Sequence, residues 1–348
     1  MLLKKYPVDI LAPFCRELMK AAGVPPEDAG VVTDVLIDAS LEGIDTHGIS
    51  RLPIYISRLR NGRINSRPQI KVDRTGAMAA VDGDNGLGQL VAVRSMKIAI
   101  ELAGQYGVGF VTTKHSNHFG AASYYCKMAT RWQMIGMAFT NSPPGIPPWG
   151  GRKPYFGTNP IAFAFPTNEY PVVVDMSSST VARGNIILAA REGREIPLGW
   201  AIDAEGRPTT DPQKALGGAV LPVGGAKGYA LALAVEVLSG ILSGSAYGPG
   251  VGWIYDDSLE PANVGHCFLA IDVSRLMSLE TFHKRMADMI QGVKAVPLAK
   301  GFEQILIPGE RRRVKAKQRV REGIPVDENL LQELNQLAME LGVRTLES

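Results

Sequence analysis

The sequence predicts an α/β protein with a helical lobe made by both ends of the chain. From Gln69 onward, short runs rich in β-branched and apolar residues alternate with segments of helical length. Before that point, and again in the tail, apolar residues recur at helical spacing. With 348 residues the chain can bury a large core, and its length suits two or three lobes.

The elements follow in order. Residues 8–22 carry the helical period, and Pro25-Pro26-Glu27-Asp28 is a helix-start signature leading into 31–41. Residues 49–59 continue the pattern, with Pro53 required in a first turn or at a kink. Residues 70–72 and 78–81 read as strands of a hairpin turned through Arg74-Thr75-Gly76. A helix over 88–105 and a strand over 108–113 come next, then a helix over 124–131 and a strand over 134–140. Residues 141–160 form a loop dense in Pro and Gly, a length that usually signals function. Strands at 162–165 and 172–175, a helix at 226–242, a strand at 267–272 and helices at 279–290 and 327–341 complete the pattern.

Composition excludes several classes. Hydrophobic residues at 45 % and charged residues at 20 % describe an ordinary globular protein. A net charge of +3 is too weak to argue for nucleic acid. The longest apolar stretches are too short or too broken to span a bilayer, and the start lacks a signal-peptide core. Cys15, Cys126 and Cys267 are few and far apart, which argues against a disulfide framework and fits a reducing compartment. The expected location is the cytoplasm.

Asp45-Thr46-His47-Gly48-Ile49-Ser50-Arg51-Leu52-Pro53-Ile54-Tyr55 places an imidazole, a guanidinium and a phenol four residues apart in succession. On a helix the three would share one face, giving a proton carrier, a fork for a carboxylate and a hydroxyl donor. The same spacing fits a core histidine and a solvent-facing arginine. Gly86-Leu87-Gly88-Gln89-Leu90-Val91 has two of the three dinucleotide-fingerprint glycines and lacks the later acidic residue, so a Rossmann motif is absent.

Lys114-His115-Ser116-Asn117-His118-Phe119-Gly120 lies between a strand and a helix, where polar residues suit anions and catalysis. A histidine there suits acid–base work, and equally a cap or a core position. No carboxylate cluster accompanies the pair, so no metal site is expected. Asp175 ends an apolar strand and needs a partner, most simply a histidine. Gly157-Thr158-Asn159-Pro160 and Gly224-Gly225-Ala226-Lys227-Gly228-Tyr229 are polar turns, the second placing a lysine at a helix mouth. The basic run 311–317 reads as a solvated face.

Taken together, Asp45-Thr46-His47-Gly48, His115-Ser116-Asn117-His118-Phe119-Gly120, Gly157-Thr158-Asn159-Pro160, Pro208-Thr209-Thr210-Asp211-Pro212 and the turn at 224–229 resemble the type 2 malate/L-lactate dehydrogenase family. The family includes malate, sulfolactate and ureidoglycolate dehydrogenases and cyclic imino-acid reductases. The resemblance implies a non-Rossmann α/β fold whose mixed or antiparallel nicotinamide-binding sheet is flanked by helices. It implies a homodimer, with no membrane or nucleic-acid partner, and hydride transfer between NAD or NADP, NAD favoured, and a small 2-oxo acid or imine. The implied division is a helical lobe at 1–68 joined by 280–348, a substrate and dimer domain at 69–120 and 176–279, and a cofactor-binding sheet region at 121–175.

Carried over by position, His118 matches the acid–base histidine, and His47 with Asp175 matches a supporting or principal proton-transfer pair. Arg51, Tyr55 and Thr46 match substrate contacts. Ser142, Asn159, Asp175, Met176, Ser177, Lys227, Gly309, Glu310 and Arg311 match cofactor contacts. One departure is Asn185, which stands where many members carry lysine. The rival expectations are a catalytically silent nucleotide-binding protein or structural dimer, and a metal-dependent hydrolase or lyase using His115 and His118.

Overall fold

A computed structural model describes residues 3–255 and 260–346 of the chain. A short strand β1 (Leu3–Tyr6) leads into helices α1 (Val8–Ala21), α2 (Pro26–Leu41) and α3 (Leu52–Arg60). Pro26 opens α2 and Pro53 lies in the first turn of α3, where a missing N–H costs no hydrogen bond. The run from 45 to 55 is not one helix, as stacking of His47, Arg51 and Tyr55 would require. It breaks into two 3₁₀ turns, Asp45–His47 and Ile49–Arg51, joined at Gly48. A close approach to α2 explains the break. A Cβ on Gly48 would lie 2.1 Å from Ser40 Oγ, the oxygen that accepts from the Ile49 N–H at 3.0 Å.

β2 (Lys71–Thr75) and β3 (Met78–Asp82) form the expected hairpin. α4 (Gly88–Tyr106) then carries the chain back so that β4 (Val108–Ser116) runs parallel to β3, as a helical crossover allows. β4 extends past its expected end and takes His115 with it, in a left-handed conformation at φ 50°. α5 (Ser123–Thr130), β5 (Met134–Thr140), β6 (Ile161–Phe165) and β7 (Val172–Met176) follow. A small excursion contains α6 (Arg183–Arg191), β8 (Ala201–Ile202), β9 (Pro208–Thr209), α7 (Pro212–Gly217) and β10 (Ala219–Val220). α8 (Ala226–Glu236) runs on into a π-helical turn, Val237–Ile241.

The last strand of the main sheet, β11 (Val264–Asp272), inserts between β4 and β5. The sheet order is β2-β3-β4-β11-β5-β6-β7, and only β3–β4 is parallel among these strands. The sheet is therefore mixed, as expected.

The chain closes through α9 (Leu279–Lys294), α10 (Glu310–Glu322), β12 (Ile324–Asp327) and α11 (Glu328–Glu340). β1 pairs antiparallel with β12, and Leu11, Leu36 and Tyr55 share a buried cluster with Ile324 and Leu334. Each such side chain adds about 1.5–3 kcal/mol on burial, so the two ends of the chain form one helical lobe.

The basic run 311–317 is not simply a solvated face, since its Arg312 pairs with the Asp175 carboxylate at 3.0 Å. α10 packs one side against α2, where Arg319 binds the Asp45 carboxylate and the Ser40 carbonyl. Periodicity in a run of charges reports no preferred side, because every position is polar. α9 has no buried residue.

Candidate active site

A cleft of about 520 Å³ opens where the 45–55 turns meet the end of β4, the loop after β5, the start of α6 and residues 252–255. His47, Arg51, Tyr55, His118 and Ser142 all line it. The proposed helical stripe therefore meets in space, through turns rather than along one helix. Tyr55 is fully buried at its body, and its hydroxyl lies 2.6 Å from His118 Nδ1. The His47 and His118 rings are 5.4 Å apart. Thr46 flanks the cleft: its hydroxyl is 2.9 Å from His47 Nδ1, and its carbonyl accepts from Arg51 Nε at 2.6 Å. The Arg51 guanidinium sits 5.3 Å from the centre of the Tyr255 ring, which fixes it as a fork facing the cleft.

Behind His118 the sheet supplies a rigid support. His266 on β11 bridges Thr140 at 2.7 Å and Ser116 at 2.8 Å, and its ring stacks on Phe119 at 4.6 Å. Burial holds all three imidazoles neutral. His266 is pushed down to about 3. His47 falls to about 4, through burial and then Arg51, with Asp175 opposing and Arg312 adding. His118 is held well below the ordinary histidine value by burial, His47, Arg51 and His266. Burial likewise raises the Tyr55 phenol well above its usual value, so it remains a hydrogen-bond donor.

Asp175 ends β7 with a different partner from the histidine expected. Its Oδ2 accepts from Arg312 Nη1 at 3.0 Å and from the Ser123 N–H at 3.1 Å, and it acts on His47 through space. Asn159 is fully buried in a left-handed conformation (φ 32°) under the Pro/Gly loop. It accepts from the Ser142 N–H at 3.2 Å and donates to the Ala232 carbonyl and to Glu236. It shapes the loop that presents Ser142 and lies outside the cleft lining.

Met176, Ser177 and Lys227 are also outside that lining, and Lys227 is exposed at the start of α8. Gly309 and Glu310 start α10 beside β7. A Cβ on Gly309 (φ 96°) would lie 3.1 Å from Val173 Cβ, while Glu310 pairs with Lys294 at 2.5 Å. Arg311 is exposed, and it is the next residue, Arg312, that reaches Asp175. His115 turns away to Asp82, 3.0 Å distant, so it does not join His118.

Four residues of the site escaped the sequence reading. His266 lies in an apolar strand and Arg312 in a run of arginines, and nothing in either local pattern marks them. Arg183 and Arg191 line the cleft on α6, Arg183 with its guanidinium 4.8 Å from the Trp253 ring centre. Asn185 on the same helix is exposed and off the cleft. Among the described residues the lining holds four arginines (Arg51, Arg58, Arg183, Arg191) and no carboxylate. Such a lining favours an anionic ligand.

Known proteins resemble this chain along nearly its whole length. The family model described as malate/L-lactate dehydrogenase matches residues 6–335. The L-sulfolactate dehydrogenase of Methanocaldococcus jannaschii is 44 % identical over 331 residues, covering 94 % of each chain. A malate dehydrogenase of Pyrococcus horikoshii is 41 % identical, covering 98 % of this chain and 97 % of its own. The solved structure of the M. jannaschii sulfolactate dehydrogenase superposes with a TM-score of 0.93 at 41 % identity over 99 % of both chains.

Proposed function

The chain belongs to the malate/L-lactate dehydrogenase family, and from that premise we propose that it moves hydride between NAD or NADP, NAD favoured, and a small 2-oxo/2-hydroxy acid of the malate, lactate or sulfolactate class. The observation that carries the assignment is the neutral His118, hydrogen-bonded to Tyr55 and facing the same cleft as the Arg51 fork.

In the reductive direction Arg51 takes the substrate carboxylate in two parallel hydrogen bonds, which sets the 2-oxo group against His118. With its own proton on Nδ1, 2.6 Å from the Tyr55 oxygen, neutral His118 presents Nε2 as the base that takes the substrate hydroxyl proton in oxidation, and in reduction the corresponding imidazolium returns that proton to the carbonyl oxygen. His47, with Asp175 as its nearby counter-charge, supports this transfer. A nicotinamide cofactor, when bound, would supply the hydride chemistry, while Arg51 and His118 orient and protonate the substrate. In both directions His118 carries the one proton exchanged with the substrate oxygen, at the nitrogen turned away from Tyr55.

The donor set suits such a cofactor. Ser142, Thr158, Arg183 and Arg191 offer hydroxyls and cations to a pyrophosphate, and Pro143, Pro144 and Ile187 offer apolar wall to the rings. We assign Asp175, Met176, Ser177, Lys227, Gly309, Glu310 and Arg311 to the outer part of the same cofactor site, with Asn159 shaping its loop.

A homodimer is part of the same proposal. α9 presents Phe282, Met286, Met289 and Val293 along one stripe without burying any of them, and the following arm exposes Val296, Leu298 and Phe302. An unburied apolar stripe of this kind suits a second copy. Light scattering of the purified chain should give twice the chain mass.

The deciding experiment follows cofactor absorbance with pyruvate, oxaloacetate and sulfopyruvate against a cyclic imine, with NADH and with NADPH, and with ureidoglycolate in the oxidative direction. Turnover of an oxo acid is expected. Turnover of the imine or of ureidoglycolate alone would reassign the chain within the family.

A further inference from the structure

Arg312 stands outside every residue assigned to cofactor or substrate, yet it is the side chain most tightly bound to Asp175. Its Nη1 donates to Asp175 Oδ2 at 3.0 Å and to Ser123 Oγ at 3.2 Å, and its Nη2 donates to the Asp175 carbonyl at 3.1 Å. One guanidinium thus fixes both the carboxylate and the backbone at the end of β7. The Asp175 side chain is only 11 % exposed, so this pair is not a screened surface contact.

Arg319 lies seven residues further along α10, two turns on and therefore on the same face. Its Nη2 donates to Asp45 Oδ2 at 3.0 Å, and Nη1 reaches Asp45 Oδ1 and the Ser40 carbonyl. Asp45 begins the turn that carries His47. One face of one helix therefore grips the two segments that bring His47 and Asp175 together.

We propose that Arg312 is a positioning residue of the proton-transfer site: it holds the Asp175 carboxylate beside His47 and, with Arg319 on the same face of α10, locks the His47 turn to the end of β7. This rests on the reading of His47 and Asp175 as part of that site. The groups facing His47 are Arg51 from its own lobe, Asp175 from β7, Arg312 from α10 and the His118 ring. Removing Arg312 deletes a cation near His47 and leaves the Asp175 carboxylate unpaired but still tied to the Ser123 N–H, and both changes favour a proton on His47.

The test has a readout that needs no turnover. With ring-labelled histidine, the five imidazoles are titrated by NMR in the parent, in Arg312→Ala and in Arg312→Lys, with His47→Gln to assign the signal. The His47 titration should move up by about one pH unit in Arg312→Ala and by less in Arg312→Lys. In the enzyme assay, kcat for hydroxy-acid oxidation should fall about tenfold or more, KM should change little, and the acid limb should shift in the same direction. An unmoved His47 titration in a variant with the parent's circular dichroism overturns the proposal. Should Arg312→Ala not fold, Arg312→Lys decides it, because a single ammonium cannot reproduce the two-nitrogen grip. If the parent reduces none of the oxo acids, the functional reading fails, and the histidine titration still decides the role of Arg312.

Discussion

At the scale of single residues, the site depends on imidazoles kept uncharged by their surroundings. His118 titrates far below neutrality because it is buried beside a second imidazole and a guanidinium, and Tyr55 fixes which nitrogen carries its proton. A histidine held neutral and oriented is ready to take the hydroxyl proton in oxidation, and as the imidazolium it gives that proton back in reduction. Replacing His118 by Ala should lower kcat by about 10²–10⁴-fold while NADH still binds, as fluorescence titration would report. Unchanged turnover would remove His118 as proton carrier. Arg51→Ala should instead act through affinity, raising KM for the oxo acid by roughly one to two orders of magnitude, since charged hydrogen bonds are worth about 1.5–3 kcal/mol. Equal KM values in variant and parent would assign the carboxylate to another arginine of the cleft.

At the scale of elements, the lesson of the 45–55 run is that correct residues can sit in the wrong secondary structure. The four-residue spacing of His47, Arg51 and Tyr55 suggested a helix, yet the chain makes two tight turns there. Gly48 passes against Ser40 of α2, a contact between residues eight apart that no helical period encodes. Strands and helices with their own apolar pattern, such as β5 and α4, were legible because burial on one face writes that pattern. Arg312 and His266 were not, since their roles depend on which distant element lies opposite. Gly48→Ala should then cost about 1–3 kcal/mol by overpacking against Ser40, read as a lower urea midpoint, and should lower kcat by misplacing His47. Parent-like stability would mean that α2 yields to the extra methyl group.

At the scale of the whole molecule, β11 arrives late in sequence and takes the centre of the sheet, so the support behind the site comes from far along the chain. Its His266, fully buried, lies opposite Thr140 of β5 and Thr113 of β4, and only this pairing gives the imidazole hydroxyl partners on both nitrogens. The same burial sets the acid stability of the fold. His266 and His47 titrate in the native state near 3 and 4, against 6.5 for an unperturbed ring, and His118 is shifted the same way.

As pH falls below 6.5 the unfolded chain takes up these protons and the native state does not, so stability is lost as pH drops toward the native values. Each unit of separation costs about 1.4 kcal/mol, and several units over three rings are large against an ordinary margin of about 5–15 kcal/mol. Denaturant midpoints taken at pH about 7.5, 6 and 5 should therefore be flat above the ordinary histidine range and fall steeply below it. His266→Gln should start less stable and lose less over the same interval, because one of the three proton sinks of the unfolded state is gone. A parent curve that stays level down to pH about 5 would mean that these imidazoles are protonated in the native fold, and with them the neutral His118 on which the proposed proton transfer depends.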